Sequence, residues 1–186
     1  EDFANPATTR MLAAFNRGNP QVRLEISSGL SRDLAQGFDH GELDLVLVKQ
    51  RRNSRPAVHC WPEPMHWIDS RAAPSAGQDV LPLVTFPPRG LYRDEMIHAI
   101  ETLGRGWRIT FTSSSLSGIQ GAVADGIGIS LLPRRAVTAD HRIIDGEHGL
   151  PVIDSYEIGI LYRDNADDGV RALALELKRQ VDSETR

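Results

Sequence analysis

Two serine-rich segments hold the residues of this sequence that are best suited to binding chemistry. Ser27-Ser28-Gly29-Leu30-Ser31 follows a predicted strand, and Thr112-Ser113-Ser114-Ser115 follows another. Each segment also precedes a predicted helix. Ligands of open α/β sheets bind where strands end and helices begin, because free N–H groups and the helix dipole favour a carboxylate there. The alternative is that these serines only cap their own helices. One such segment in each half of the chain favours a shared ligand site.

Motifs for enzymatic chemistry are missing from the sequence. The nearest match to a nucleophile elbow, Ser115-Leu116-Ser117-Gly118, lacks the leading glycine, and there is no P-loop or H-E-x-x-H string. Gly126-Ile127-Gly128 precedes a predicted strand, whereas a dinucleotide fingerprint follows one. No two of the six histidines share a helix at i, i+3 or i+4, and the single Cys60 excludes a multi-cysteine metal site. We predict no catalytic residue, no metal and no cofactor.

Charge and composition narrow the classes of partner. The chain has 21 basic and 25 acidic residues and a formal net charge of −4. This balance argues against nucleic-acid binding by the chain alone, because that requires a basic face. Lys49, Arg51, Arg52 and Arg55 crowd one predicted loop, which is either an anion or nucleic-acid contact or a solvated basic loop. No apolar run approaches the roughly 20 residues that cross a bilayer, so we expect no membrane association.

The elements that must position the serine segments alternate between helix and strand. Asn5 and Pro6 are typical of a helix start, and residues 21–27 alternate between apolar and polar types as on a half-buried strand. Ser31 is predicted to cap a second helix, and the apolar run 43–48 suits a buried parallel strand. This α-β-α-β order indicates an α/β fold.

The rest of the chain continues the same pattern. Met65–Ile68 is predicted as an isolated strand. The other predicted strands cover residues 83–86, 107–112, 127–132, 142–144 and 156–162, and the predicted helices cover residues 92–103, 117–125 and the stretch that begins at Asp167 or Asp168.

Two strings in this pattern are similar to a known family. Gly29-x-Ser31-x-x-Leu34 followed by Gly41-Glu42-Leu43-Asp44-Leu45, and later Gly118-Ile119 with Gly126-Ile127-Gly128-Ile129-x-Leu131-Leu132-Pro133, resemble the effector-binding domain of LysR-type transcriptional regulators. The resemblance implies a type 2 periplasmic-binding-protein fold of two α/β lobes joined by two crossover strands. We expect the crossovers at Met65–Ile68 and Ile158–Tyr162, lobe I at 1–65 plus 163–186, and lobe II at 66–162.

The resemblance also implies a site and partners. A small effector, anionic or polar, is expected between the lobes, where it modulates transcription by rearranging a homodimer or homotetramer in the cytoplasm. DNA is expected to bind only through an amino-terminal winged helix-turn-helix, which this chain lacks. The chain opens on Glu1 rather than Met, so we expect it to be a fragment of a longer protein. The expected ligand-binding residues, with Phe86 added from its strand position, are Asp2, Phe3, Ser28, Gly29, Leu30, Ser31, Trp67, Phe86, Ser113, Ser114 and Ser115.

Two other functions stay open at this point. An extracytoplasmic solute-binding protein of a transporter shares the fold, and a signal peptide upstream would favour it. An enzyme on this fold would need a convergent acid, base or nucleophile, which no motif here supplies. A dimer surface that pairs helix Thr8–Asn16 of one copy with helix Tyr92–Leu103 of another is a further expectation.

Overall fold

The computed structural model describes Phe3 and residues 5–184. They form two compact units: unit 1 takes the chain up to Pro62 and again from Glu157, and unit 2 is Glu63–Tyr156. The predicted lobe boundaries at 65/66 and 162/163 stay a prediction. The helices are α1 (Pro6–Gly18), α2 (Ser31–His40), α3 (Arg93–Thr102), α4 (Leu116–Ala124) and α5 (Asp168–Glu184), and the strands are β1 (Leu45–Arg51), β2 (His59–Pro62), β3 (Met65–Ser70), β4 (Val80–Thr85), β5 (Gly106–Thr112), β6 (Ser130–Pro133), β7 (His141–Ile143) and β8 (Tyr156–Tyr162).

Helix α1 begins where its sequence predicts. The side-chain oxygen of Asn5 accepts hydrogen bonds from the backbone N–H groups of Ala7 and Thr8, each at 3.0 Å, and Pro6 takes the first helical position. An N-cap of this kind contributes about 1 kcal/mol. The prediction of this helix start is confirmed.

Unit 1 is built on a three-stranded sheet in the order β1-β8-β2. Strand β8 is the central strand and runs antiparallel to β2. Because successive side chains of a strand point to opposite faces, Leu161 packs with Val48 on one face, and Ile160 packs with Leu177 of α5 on the other. The strand predicted at 156–162 is therefore a buried strand, and from Glu157 onward it is the central strand of unit 1.

The segment 23–30 lacks the strand that its alternating pattern predicts. Within the described residues it pairs with no strand. Val22 and Leu24 are half-buried, but Ile26 is 59% exposed. A segment without strand partners can still alternate apolar and polar residues when one of its sides packs against a core. A strand also needs a hydrogen-bonded neighbouring strand. The strand prediction for 21–27 is therefore wrong.

Unit 2 contains a parallel pair, β4 with β5, and an antiparallel sheet in the order β6-β3-β7. Strand β3, predicted as isolated, is the central strand of that sheet. Helix α3 buries Met96 and Ile100 in the core that contains Leu83 of β4 and Ile129 before β6. A bridge between Leu83 and Ile129 joins the two sheets.

The glycines after α4 have backbone roles. Gly126 has a φ of +77°, and its N–H donates to the carbonyl of Val123, an ending of a helix that favours glycine. A Cβ on Gly128 would lie 2.5 Å from the carbonyl oxygen of Pro82, so a side chain there would collide with β4. The string Gly126-Ile127-Gly128 is therefore a helix ending and a close approach to β4, not a nucleotide site.

Candidate functional site

The serine segment of unit 2 lies at the carboxyl end of a parallel strand pair. Strands β4 and β5 are in register with Thr85 opposite Thr112, so Phe86 and Ser113 leave the pair at the same edge. The backbone N–H of Ser113 donates to the carbonyl of Thr85 at 3.1 Å. Phe86 and Ser113 are half-buried, while Ser114 is exposed. The structure thus brings together two of the predicted ligand contacts, Phe86 and the serine segment.

The serines of this segment bond to one another rather than capping α4. Ser115 occupies the N-cap position but makes no side-chain cap, because its hydroxyl lies 2.8 Å from the hydroxyl of Ser117. The hydroxyl of Ser113 accepts a hydrogen bond from the N–H of Ser115 at 3.0 Å. The capping alternative is therefore wrong for this segment.

Several donors at the start of α4 have no partner within the described residues. The backbone N–H groups of Ser117 and Gly118 and the hydroxyl of Ser114 make no hydrogen bond there. The helix dipole adds a partial positive charge at the same place. This end of unit 2 can therefore donate several hydrogen bonds to an anionic or polar group.

Thr85 is a residue that the sequence analysis missed. It is fully buried at the end of β4, and its hydroxyl has no hydrogen-bond partner among the described residues. Buried hydroxyls of this kind are uncommon and call for an explanation. The sequence signal that could have identified Thr85 is its position, as a polar residue directly before Phe86 at the end of an apolar strand.

Phe86 belongs to a chain of aromatic rings. Its ring meets Tyr92 edge-on at 6.2 Å, and Tyr92 meets Tyr156 edge-on at 5.4 Å. Such pairs add about 0.5–1.5 kcal/mol beyond the area they bury. Packing therefore fixes the position of Phe86, and part of its surface stays open beside the serine segment.

Trp67 is a core residue in this structure. It has no exposed surface, and its indole N–H donates to the carbonyl of Pro151 at 2.9 Å. Its backbone N–H donates to Asp145, whose other carboxylate oxygen lies 2.6 Å from Nδ1 of His66. The large apolar ring satisfies its one polar atom internally, so we leave Trp67 out of the binding site.

The serine segment of unit 1 is held differently. Ser28 is exposed, and Gly29 and Leu30 are half-buried. Leu30 occupies the N-cap position of α2, and its side chain makes no capping hydrogen bond. The hydroxyl of Ser31 does not cap α2 but accepts a hydrogen bond from the backbone N–H of Lys49 at 3.0 Å. Ser31 thus links α2 to β1, so its predicted capping role is wrong.

The remaining predicted contacts lie at the amino terminus. Phe3 is half-buried in a turn. Asp2 lies outside the described residues.

The basic loop of unit 1 is partly neutralised by an ion pair. Arg55 donates two hydrogen bonds to the carboxylate of Asp39, at 2.5 and 2.7 Å. This hydrogen bonding lowers the pKa of Asp39 and raises the pKa of Arg55. Lys49 and Arg51 lie in β1, and Lys49 is buried, so the predicted loop is wrong for these two residues. At Arg55 the bidentate pair favours a solvated loop over a nucleic-acid contact.

In the part of the chain that the structure describes, no group of three or more His, Cys, Asp or Glu side chains is placed to hold a metal ion. Among the helices described here, none is both long and apolar enough to cross a membrane.

Known proteins resemble this chain along most of its length. A family model described as the LysR substrate binding domain matches residues 1–182. The chain is 26% identical over 162 residues to the HTH-type transcriptional regulator DgdR of Burkholderia cepacia, covering 87% of this chain and 55% of that protein. It is 24% identical over 151 residues to the HTH-type transcriptional regulator PecT of Dickeya dadantii, covering 81% and 48%.

These two relatives are longer proteins named as regulators. The chain spans about half the length of the curated relatives it matches. Their names favour the regulator over the transporter alternative.

A solved structure supports the same fold. The regulatory domain of CcmR from Synechocystis superposes with a TM-score of 0.64 over 92% of this chain and 89% of that domain, at 17% identity. A likeness at that identity shows the fold alone. The predicted type 2 periplasmic-binding-protein-like fold is confirmed, and because the family model covers residues 1–182, the chain belongs to the LysR substrate-binding domain family.

Proposed function

We propose that this chain is the effector-sensing domain of a transcriptional regulator, and that its effector is a small anionic or polar metabolite. The observation that carries the proposal is a cluster of donors at the start of α4, on Ser114, Ser117 and Gly118, that have no partner among the described residues of this LysR-family chain. Donors left unpaired by the fold are free to bind a ligand at little conformational cost. Phe86 would cover an apolar part of the same ligand.

Solved domains of this fold support the binding of a ligand, since that of CcmR is in complex with 2-PG and that of QuiR is in complex with shikimate. The Ser28–Ser31 segment of unit 1 and Phe3 stay predicted contacts.

The role of the whole protein follows from its relatives. We propose that the full-length protein binds DNA through an amino-terminal part and acts in the cytoplasm as a homodimer or homotetramer without catalysing a reaction. The effector need only prefer one arrangement of that oligomer, since a tenfold preference shifts the equilibrium by about 1.4 kcal/mol.

Calorimetry of the purified chain against a library of carboxylate and aromatic metabolites tests the proposal. For a compound that binds, Ser114→Ala should weaken binding about tenfold, because it removes a donor to a charged group. Ser54→Ala, a change at an exposed serine of unit 1, is the matched control and should leave affinity unchanged. If Ser114→Ala binds every such compound as tightly as the parent, this placement of the site is wrong.

A further inference from the structure

A polar cavity lies in unit 2, along the connection from β6 to β7. Its volume is about 350 Å³. Among the described residues no acidic one lines it, and it shares no residue with the segment Thr112–Ser115. The lining includes Arg71, Arg134, Val137, Thr138, His141 and Ile143.

Arg71 is held in place by carbonyl groups of that connection. Its Nε donates to the carbonyl of Ala139 at 3.0 Å and its Nη2 to the carbonyl of His141 at 3.1 Å, while its backbone N–H donates to the carbonyl of Asp140 at 2.9 Å. A guanidinium has five N–H donors, so donors remain after these bonds. Among the described residues no carboxylate pairs with Arg71, and its positive charge stays uncompensated.

Arg134 brings a second guanidinium to the same cavity. It lies in the short 3-10 turn Arg134–Ala136 that follows β6 and is exposed. Its side chain forms no hydrogen bond or ion pair with any residue that the structure describes. Two arginines thus line one cavity without a neutralising acid on its wall.

The floor of the cavity is rigid because His141 is fully engaged. Its Nε2 lies 2.9 Å from the carbonyl oxygen of Gln120 and so carries the proton. Its Nδ1 then accepts the backbone N–H of Thr138 at 3.1 Å. The imidazole is 2% exposed and holds the connection in shape rather than serving as a base or a metal ligand.

We propose that this cavity binds a ligand through an oxyanion, either a carboxylate or a phosphate group, between Arg71 and Arg134. Guanidinium groups match the geometry of both oxyanions with paired hydrogen bonds, and Arg71 is already oriented. The cavity is within the size range of small-molecule sites. Val137 and Ile143 offer apolar contact to the remainder of the ligand.

The test follows the arginine Nε–Hε and backbone amide resonances of the ¹⁵N-labelled chain during titration with inorganic phosphate and, separately, with acetate. The site predicts saturable shifts of Arg71 and Arg134 with one anion or both, which also identifies the preferred oxyanion. Arg134→Gln should weaken this binding about tenfold, because it removes a hydrogen bond to a charged group. The side chain of Arg134 makes no hydrogen bond or ion pair with a described residue, so its loss should not unfold the chain.

Arg108→Gln is the charge-matched control. Arg108 is exposed on β5 and does not line the cavity, so this variant should bind as the parent does. Shifts that are absent with both anions, or that persist unchanged in Arg134→Gln, would overturn the proposal. Because the readout is local to residues 134–141 and Arg71, failure here is distinguishable from failure of the site at α4.

Discussion

The hydroxyl oxygen of Ser113 lies against Gly118, so close that a Cβ added to this glycine would sit 2.7 Å from it. The same oxygen accepts the N–H of Ser115 at 3.0 Å. Gly118 thus leaves the space into which the serine segment folds back onto the first turn of α4. The donors at this end of unit 2 therefore have a fixed arrangement.

Two glycines of α4 should respond differently to alanine. Nothing lies within 4 Å of a Cβ on Gly121, so Gly121→Ala should stabilise the chain by about 0.5–1 kcal/mol, the usual gain in a helix. Gly118→Ala should lose that gain and weaken effector binding, because Ser113 must move. Urea unfolding of both variants measures the difference. Equal stabilisation by the two alanines would show that Ser113 does not depend on Gly118.

A buried ion pair in unit 2 should matter for stability. Glu63 is 3% exposed, and its carboxylate lies 2.7 Å from Arg135. Arg135→Gln should destabilise the chain by about 2 kcal/mol, because it leaves a buried carboxylate without its cation. The control is Arg179→Gln, which breaks an exposed pair with Glu176 on α5 and should cost under about 1 kcal/mol. Chemical denaturation that gives equal values for both would contradict the role of Glu63.

The pair of Asp39 and Arg55 predicts a specific pH dependence. The Arg55 hydrogen bond lowers the pKa of Asp39 in the folded chain. A depressed carboxyl pKa stabilises the fold above the unfolded value, and this contribution is lost as the pH falls through the folded pKa. Carboxyl-carbon NMR should show the Asp39 midpoint rise in Arg55→Gln and stay unchanged in Arg17→Gln, an exposed control. An identical midpoint in parent and Arg55→Gln would refute the assignment.

Trp67 should affect stability and not ligand affinity. Trp67→Phe removes the donor to Pro151 and leaves unfilled volume, which should cost about 2 kcal/mol. Trp107→Phe is the matched control, since the indole N–H of Trp107 donates to the carboxylate of Glu101 at 3.3 Å in an exposed position. Thermal unfolding and calorimetry of both variants separate the two effects. A Trp67→Phe protein with normal stability but weakened effector binding would return Trp67 to the ligand site.

Local signals in the sequence predicted local structure well. The start of α1 depends on Asn5 and Pro6. The side chain of Asn5 bonds to backbone N–H groups only two and three residues further along the chain. The partner of Ser31 could not be predicted, because its hydroxyl bonds to Lys49, eighteen positions along the chain. The error at 21–27 has the same origin, since alternation of residue types does not reveal whether a neighbouring strand pairs with them.

The family resemblance supplied what periodicity could not. It identified the two-unit α/β fold, but the burial of Trp67 depends on how the core of unit 2 packs around one side chain. The cavity beside Arg71 and Arg134 also escaped the sequence analysis, because its arginines are 63 positions apart and only the pairing of β3 with β6 and β7 brings them together.

The most direct test of the effector site at α4 is an NMR titration of the ¹⁵N-labelled chain with the tightest-binding metabolite from the calorimetric library. If the effector binds at α4, the backbone amides of residues 113–119 should show saturable shifts, with the same apparent Kd as calorimetry. Saturable binding that leaves the amides of 113–119 unmoved would contradict it.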